Sequence, residues 1–487
     1  MRLSISAAGI VSAQGSLTHS FNSSLCEPET WPWPVNGWTS SPVCRAAVGM
    51  NSSLRGIARW KSLAQIALAD CLGNEMPDAD APIFIGSCNG SADGPDSESW
   101  RRSFSPGGML EDTPWAGKQL PIFSSSCSSG FHALYAAAKA LEAGAKEAIV
   151  LGVDILSQIN QSNFESLRVL ADSPITPWQQ NSRGFILGEA AVALKITSDN
   201  EIGDYPSLAG PVLTNSLHET DGLRRVVDSF SSAGPALVLG QGTGPGARDQ
   251  AELAAFHTVI ESGVPISTPL LHFGHTLGAS GLLSIALAFM AHRESRVPLA
   301  LSMPGEVASD GRPLLNASKA LKPSDRMLLT SGALDGSCAG ALIGNVGEKD
   351  RAQTTQNGQD TWQAPRPSGP LMHPTLRRIA TDALARRPQR PPAVLVVRLQ
   401  EPLAPPASAW FGERLLPSAV LEITPGFVSQ LIARSWGFTG PALCMVSETE
   451  TDANAWDLIP ACEALGLSVA RIDVKGTGDN REIIWSV

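Results

Sequence analysis

Short apolar runs bounded by Gly, Pro or Asp recur up to Val346, at Leu3–Ser6, Ile83–Ile85, Ala148–Leu151, Ala191–Ile196, Ala236–Leu239, Met327–Thr330 and Ala341–Ile343. Runs of this length without strict alternation predict strands buried on both faces. Between them the period changes to that of a helix. Lys61–Leu72 carries apolar residues at 63, 66, 67 and 71, and Phe131–Ala143 carries them at 131, 134, 135, 138 and 141, with Gly144 placed to cap it. Strands alternating with helices predict a layered α/β domain. Ser4–Val11 reads as the first strand, being too short and too broken by Ser and Gly for a signal peptide.

Beyond Val346 the pattern lapses. Residues 348–370 are rich in Gln, Thr, Pro, Gly and Asp and lack apolar periodicity, which predicts a linker over 348–390. Its second part holds Arg377, Arg378, Arg386, Arg387 and Arg390, ahead of Pro391-Pro392. Such a cluster reads first as a solvated face and second as a landing site for an acidic carrier. Strand patterns return at Ala393–Leu399, Ala442–Val446, Leu467–Val474 and Ile483–Val487, around a helical stretch near Trp456–Leu465. They predict a small C-terminal α/β region over 391–487, either a domain by itself or docked on the first. The preceding body divides into 1–200 and 201–347.

Composition narrows the chemistry. With 43% apolar and 17% charged residues in 487, the chain has the make-up of a globular protein. A net charge of −10 argues against polyanion binding, which needs a basic face, so nucleic acid is not an expected partner. The eight cysteines (Cys26, Cys44, Cys71, Cys88, Cys127, Cys338, Cys444 and Cys462) show neither CxxC pairs nor zinc-like spacing. No metal or disulfide framework is expected, and a reducing, cytoplasmic setting fits. The longest apolar helical run, Leu282–Ala291, is about half of the ~20 residues that cross a bilayer, so no membrane span is expected. The Gly-rich loops read as turns rather than a nucleotide fingerprint, and no cofactor is expected.

The segment Phe123-Ser-Ser-Ser-Cys127-Ser-Ser-Gly130 sets a cysteine between a strand-like stretch and the start of a helix. Unpaired backbone N–H groups and the helix dipole there favour a thiolate, and the same N–H groups suit an oxyanion. A free cysteine is otherwise most often a small buried hydrophobe. The motif Ser126-Cys-Ser-Ser-Gly130, followed by an Ala-rich helix and Ala148-Ile-Val-Leu-Gly-Val-Asp154, resembles the nucleophile region of β-ketoacyl synthases. Arg2–Gly15 resembles their opening strand, Ser182–Glu189 their Gly-rich loop and Phe273–Gly281 their histidine loop, in the same order.

The resemblance implies a thiolase-like five-layered α-β-α-β-α fold, built of two similar halves, with Cys127 as acyl acceptor and no cofactor. It further implies an acyl carrier protein and an acyl thioester as partners, in fatty-acid or polyketide-type biosynthesis, and a homodimer or a heterodimer with another ketosynthase. His275, in Gly274-His-Thr-Leu-Gly278, matches one of two family histidines that hold the thioester carbonyl; His272 is a weaker candidate. Gln241, in Leu239-Gly-Gln-Gly-Thr243, stands where the other belongs. An amide still donates an N–H but does not titrate near neutrality, so decarboxylative condensation is expected to suffer most. Thr243, Leu334 and Gly336 are expected to line the substrate site, Leu334 falling at a gate that in the family is phenylalanine. Leu270 replaces a family lysine, and the spacing from Cys127 to His275 is compressed.

Ser429–Val446 is also similar to the strand that leads into a synthase nucleophile turn, with Thr449 at the cysteine's place; a chance Gly-Pro strand start explains it equally well. Three functions follow: acyl loading on Cys127 without efficient condensation, a non-condensing partner subunit of the chain-length-factor kind, and a cysteine hydrolase. The last lacks a recognisable triad order.

Overall fold

The structure, a computed structural model, describes residues 2–22, 29–30, 43–51, 53–73, 81–93, 100, 103–104, 110, 113, 115–116, 118, 120–171, 175–179, 182, 184–199, 206–216, 219–244, 246–347, 371, 373–404, 410–411, 414–415, 422, 424–447, 458–476 and 481–486. Its backbone is organised by one sheet of 14 strands. In chain order these are β1 (Arg2–Ser12), β2 (Ile83–Gly86), β3 (Ile122–Phe123), β4 (Glu147–Asp154), β5 (Ala190–Asp199), β6 (Ser207–Asn215) and β7 (Leu237–Leu239). They continue with β8 (Ile266–Ser267), β9 (Arg326–Gly332), β10 (Ser337–Gly344), β11 (Val394–Leu399), β12 (Ala442–Val446), β13 (Val469–Lys475) and β14 (Glu482–Ser486). Across the sheet the order is β8-β7-β9-β10-β6-β1-β5-β4-β2-β3-β12-β11-β13-β14.

Ten of its strands form two five-stranded parts, which meet where Leu3 and Ser4 of β1 pair with Leu208 and Ser207 of β6. Helix α1 (Gly56–Leu72) covers β1, β5 and β4 from outside. Helix α2 (Ser129–Glu142) lies against β4 and β2 on one side and β6 on the other. A short helix α3 (Gln158–Ser166) follows β4. Helices α4 (Glu219–Asp228) and α5 (Gly246–His257) pack on each other, α4 covering β6, β9 and β10. Helix α6 (Ser280–Arg293) touches β1 and β5 on one side and β9 and β10 on the other.

The result is five layers: helix, sheet, the α2–α6 pair, sheet, helix. The sequence accounts for the middle layer, because α6 is apolar all round and buries every residue from Gly281 to Ala291. A helix without a polar face must be covered on all sides. The fold is thiolase-like, as the resemblance implied.

The remaining strands extend the same sheet beyond β3, with helices α7 (Pro374–Ala385), α8 (Gly426–Trp436) and α9 (Leu458–Ala464). This C-terminal α/β region is thus docked edge to edge on the first body. Helix α7 lies within the stretch expected to be linker. Arg377 and Arg378 sit on it while Leu376, Ile379, Ala380 and Ala383 are buried, so this segment is an amphipathic helix. Residues 348–370 of the expected linker, and Thr449, lie outside the described residues.

Candidate active site

β3 delivers the chain into a sharp turn. Ser126 has φ 46°, in the left-handed region, and Cys127 follows it directly, two residues before α2 begins. A non-glycine residue held there carries backbone strain that only surrounding contacts maintain. Those contacts are printed in the serine-rich motif. Ser125 N–H donates to Ser129 Oγ (2.9 Å), Ser129 Oγ donates to Ser126 O (2.6 Å), and Ser128 Oγ donates to Ser125 O (2.8 Å). The sequence places small hydroxyls wherever the turn has a backbone group to satisfy. Cys127 itself is 4% exposed.

The other half of the site is brought up by close approach. A Cβ on Gly130 would lie 2.8 Å from the carbonyl oxygen of Gly278 and from Leu282, so only glycine lets α2 meet the loop that carries His275. Asp154 ties this junction together. Its carboxylate accepts from Ser87 Oγ (2.9 Å), Cys88 N–H (3.0 Å) and Gly278 N–H (2.7 Å), while burial raises its pKa to about 7.

His275 is buried, and burial, with the Arg248 charge second, lowers its pKa to about 3. The ring is neutral at physiological pH. Leu277 N–H donates to its Nδ1 (3.0 Å), which leaves the proton on Nε2 and makes that nitrogen a donor. Phe185 and Phe164 hold the ring in place, with centroids at 4.7 and 6.3 Å. His272 is engaged elsewhere: its Nε2 lies 3.1 Å from Ser302 O and its own carbonyl accepts from Gln14.

Gln241 and His275 line one cavity, with Thr243, Leu270, Thr330 and Ser331. Its free space of about 20 Å³ holds a single water or polar atom, so an acyl chain would require side chains around it to move. Gln241 is held at both ends: Nε2 donates to Ser331 Oγ (2.8 Å) and Oε1 accepts from Gly332 N–H (3.2 Å). Ser331 Oγ in turn donates to Cys127 O (3.4 Å), linking the cavity to the nucleophile turn. The backbone of Gln241 is fixed by Glu252, which accepts from the N–H groups of Gln241 (2.8 Å) and Gly242 (3.0 Å) and from Trp178 Nε1 (2.8 Å). Burial raises the Glu252 pKa to about 7.

Leu334 packs against the apolar cluster that holds Phe164, Phe185 and Leu270. Gly336 faces away from the cavity, its carbonyl accepting from Ser216 N–H (3.0 Å). The structure therefore brings Gln241, Thr243 and His275 to one cavity, sets Leu334 at its flank and Cys127 one hydrogen bond away, and leaves Gly336 outside it. His132, Ser331 and Asp335 were not among the expected site residues, although Ser331 and Asp335 lie in the stretch that carries Leu334 and Gly336. His132 Nε2 lies 3.0 Å from Ser337 Oγ, and Asp335 accepts from Ser126 Oγ (3.0 Å). Ser331 and Asp335 reach the Cys127 turn through the fold, which spacing along the chain does not display, whereas His132 lies on α2 five residues after Cys127. Among the described residues there is no cluster of His, Cys, Asp or Glu able to hold a metal ion, and no helix long and apolar enough to cross a membrane.

Two segments of the chain match known protein families. Residues 121–201 match the N-terminal domain of β-ketoacyl synthases, and residues 236–303 match their C-terminal domain. The tetracenomycin polyketide synthase ketoacyl synthase alpha subunit of Streptomyces glaucescens is 24% identical over 227 residues, 40% of this chain and 53% of that subunit. The chain thus spans about half the length of that relative. Among solved structures, a ketosynthase in complex with its chain length factor from Xenorhabdus doucetiae aligns with TM-score 0.57 at 20% identity, over 70% of this chain and 98% of that one. The PfaC ketosynthase–chain length factor aligns with TM-score 0.73 at 12% identity, over 97% of this chain and 74% of that one. The first matched segment contains Cys127 and the second contains Gln241 and His275, so over these two segments the chain is similar to β-ketoacyl synthases, and its fold is that of the solved ketosynthases.

Proposed function

We propose that the protein is an acyltransferase of the β-ketoacyl synthase type that takes an acyl chain from an acyl carrier protein onto Cys127 and condenses poorly. The observation that carries this reading is the pairing of a retained nucleophile turn with a Gln241 amide already bound at both ends. In loading, Cys127 Sγ attacks the thioester carbonyl and the carbon–sulfur bond to the carrier breaks. The proton of the Cys127 thiol passes to the departing carrier thiol. Backbone N–H groups of the Ser/Gly turn stabilise the oxyanion, and His275 Nε2–H donates to the thioester oxygen. These steps need one donor histidine and no metal or redox cofactor.

Condensation asks for more. The enolate left when CO2 departs needs two donors, and loss of one such donor typically costs about 10²–10³ in rate. A fixed glutamine in place of the second histidine supplies neither an imidazole's proton nor its freedom to adjust.

A second reading, a non-condensing partner of the chain-length-factor kind, is favoured by the same bound Gln241. One experiment separates the two. Incubation with an acylated carrier protein followed by intact mass measurement should give one acyl adduct, lost in Cys127→Ala. Absence of any adduct, with or without an added ketosynthase, would leave only the partner reading.

A further inference from the structure

The strand order is a palindrome about the seam between β3 and β12. Outward on one side run β3, β2, β4 and β5; outward on the other run β12, β11, β13 and β14. The senses agree at each step. β2 is parallel to β3 and to β4, and β4 is antiparallel to β5. β11 is parallel to β12 and to β13, and β13 is antiparallel to β14. Chain order agrees as well: each set appears as first, second, third and fourth strand, with a helix before the first (α1, α7) and between the second and third (α2, α9). The set β7 to β10, with α6 after β8, repeats the plan within the second half of the thiolase-like body.

The seam is a full interface. Phe123 pairs with Met445 and Ile122 with Val446, antiparallel, and Ser124 N–H donates to Cys444 O (3.0 Å). One face is sealed by Phe84, Phe131 and Tyr135 with Leu443, Leu458 and Cys462, the α2 and α9 helices lying against each other. The other is sealed by Trp100 and Trp115 with Leu431 and Val446. A two-fold axis between identical chains makes like strands pair in this antiparallel sense, continuing the sheet from one copy to the next. Here one chain makes both sides. Once β12 is in place, the edge of β3 has no hydrogen-bonding groups to offer a second copy.

The C-terminal side also reaches the nucleophile turn. A Cβ on Gly426, at the start of α8, would lie 2.4 Å from Ser124 O, so the two backbones touch. The Arg434 guanidinium, from the last turn of α8, donates to the Asp335 carbonyl oxygen, and the Asp335 carboxylate receives Ser126 Oγ–H beside Cys127.

We propose that residues 371–487 are a third copy of the repeating strand–helix unit, lacking its nucleophile, that fills the place of a second subunit and holds the loop beside Cys127 through Arg434. A single chain is then the complete assembly, in place of the homodimer or heterodimer that the resemblance implied. This does not rest on the acyl-loading reading, and neither test below uses an acyl carrier.

Sedimentation of the full chain should give the 51.2 kDa monomer over a hundredfold range of concentration. A stable dimer would overturn the proposal. Arg434 is a positioning residue, and its role is read through the thiol. Alkylation of Cys127 by iodoacetamide, followed by intact mass with Cys127→Ala as the blank, should change rate several-fold in Arg434→Ala and move back toward the native rate in Arg434→Lys, with the far-ultraviolet circular dichroism unaltered. An unchanged alkylation rate in folded Arg434→Ala overturns the claim that the third copy supports the site.

Discussion

His132 shows how much a single buried ring can say about this protein's response to acid. It sits one turn into α2, fully buried, with Nε2 on Ser337 Oγ, and burial lowers its pKa from 6.5 to about 3. Between those two values the unfolded chain binds a proton that the native protein does not. Stability therefore falls as pH drops from 6.5 toward 3. A glutamine has an amide N–H for Ser337 and nothing to titrate. In urea melts, His132→Gln should match the native protein above pH 7 and gain on it steadily as the pH is lowered. Parallel curves would show that the ring protonates in the folded state. His275 obeys the same rule, and its neutrality makes it a hydrogen-bond donor rather than a general acid. Cys127, Gln241 and His275 were legible because each lies in a contiguous motif. Leu334 and Gly336 were read in a motif too, but the nearness of their neighbours Ser331 and Asp335 to the Cys127 turn was not, since it depends on which strands become neighbours.

Helices and strands in this chain follow their local pattern except where a neighbour overrides it. Glycine inside a helix usually weakens it, and replacement by alanine gains up to about 1 kcal/mol. Gly130 should behave oppositely, because an added Cβ would press on the Gly278 carbonyl and on Leu282 at 2.8 Å. Gly130→Ala is expected to lower the melting temperature; a higher one would show that the α2 contact with the His275 loop is loose. The same contrast explains which elements were readable. All the strands expected from apolar runs are present, since a buried strand is written as an unbroken hydrophobic stretch. β6 was not read, because Gly210-Pro211 interrupts its run; opposite that pair the register shifts between Gly340 and Leu342, where a proline is tolerated. Helix α7 was hidden by its exposed arginines and by the proline-rich sequence after it.

At the scale of the molecule, two large apolar clusters run without a break from the thiolase-like body into the C-terminal region. Val394, Val396, Leu443 and Met445 share one with Phe84, Phe131 and Leu134, and Leu395, Val397 and Trp436 share the other with Trp60, Ile85 and Trp100. A region sharing both cores has little stability of its own to lose separately. Guanidinium unfolding followed by tryptophan fluorescence and by circular dichroism should give one coincident transition. Two resolved transitions would show that residues 371–487 fold independently.

The β3–β12 seam joins two parts of one polypeptide. Subunits that meet from solution separate again on dilution and compete with every similar partner in the cell. Tethered halves meet at an effective concentration on the order of millimolar, whatever the abundance of the protein. Dilution then leaves the junction intact, and related synthases have no opening through which to exchange a half for one of their own.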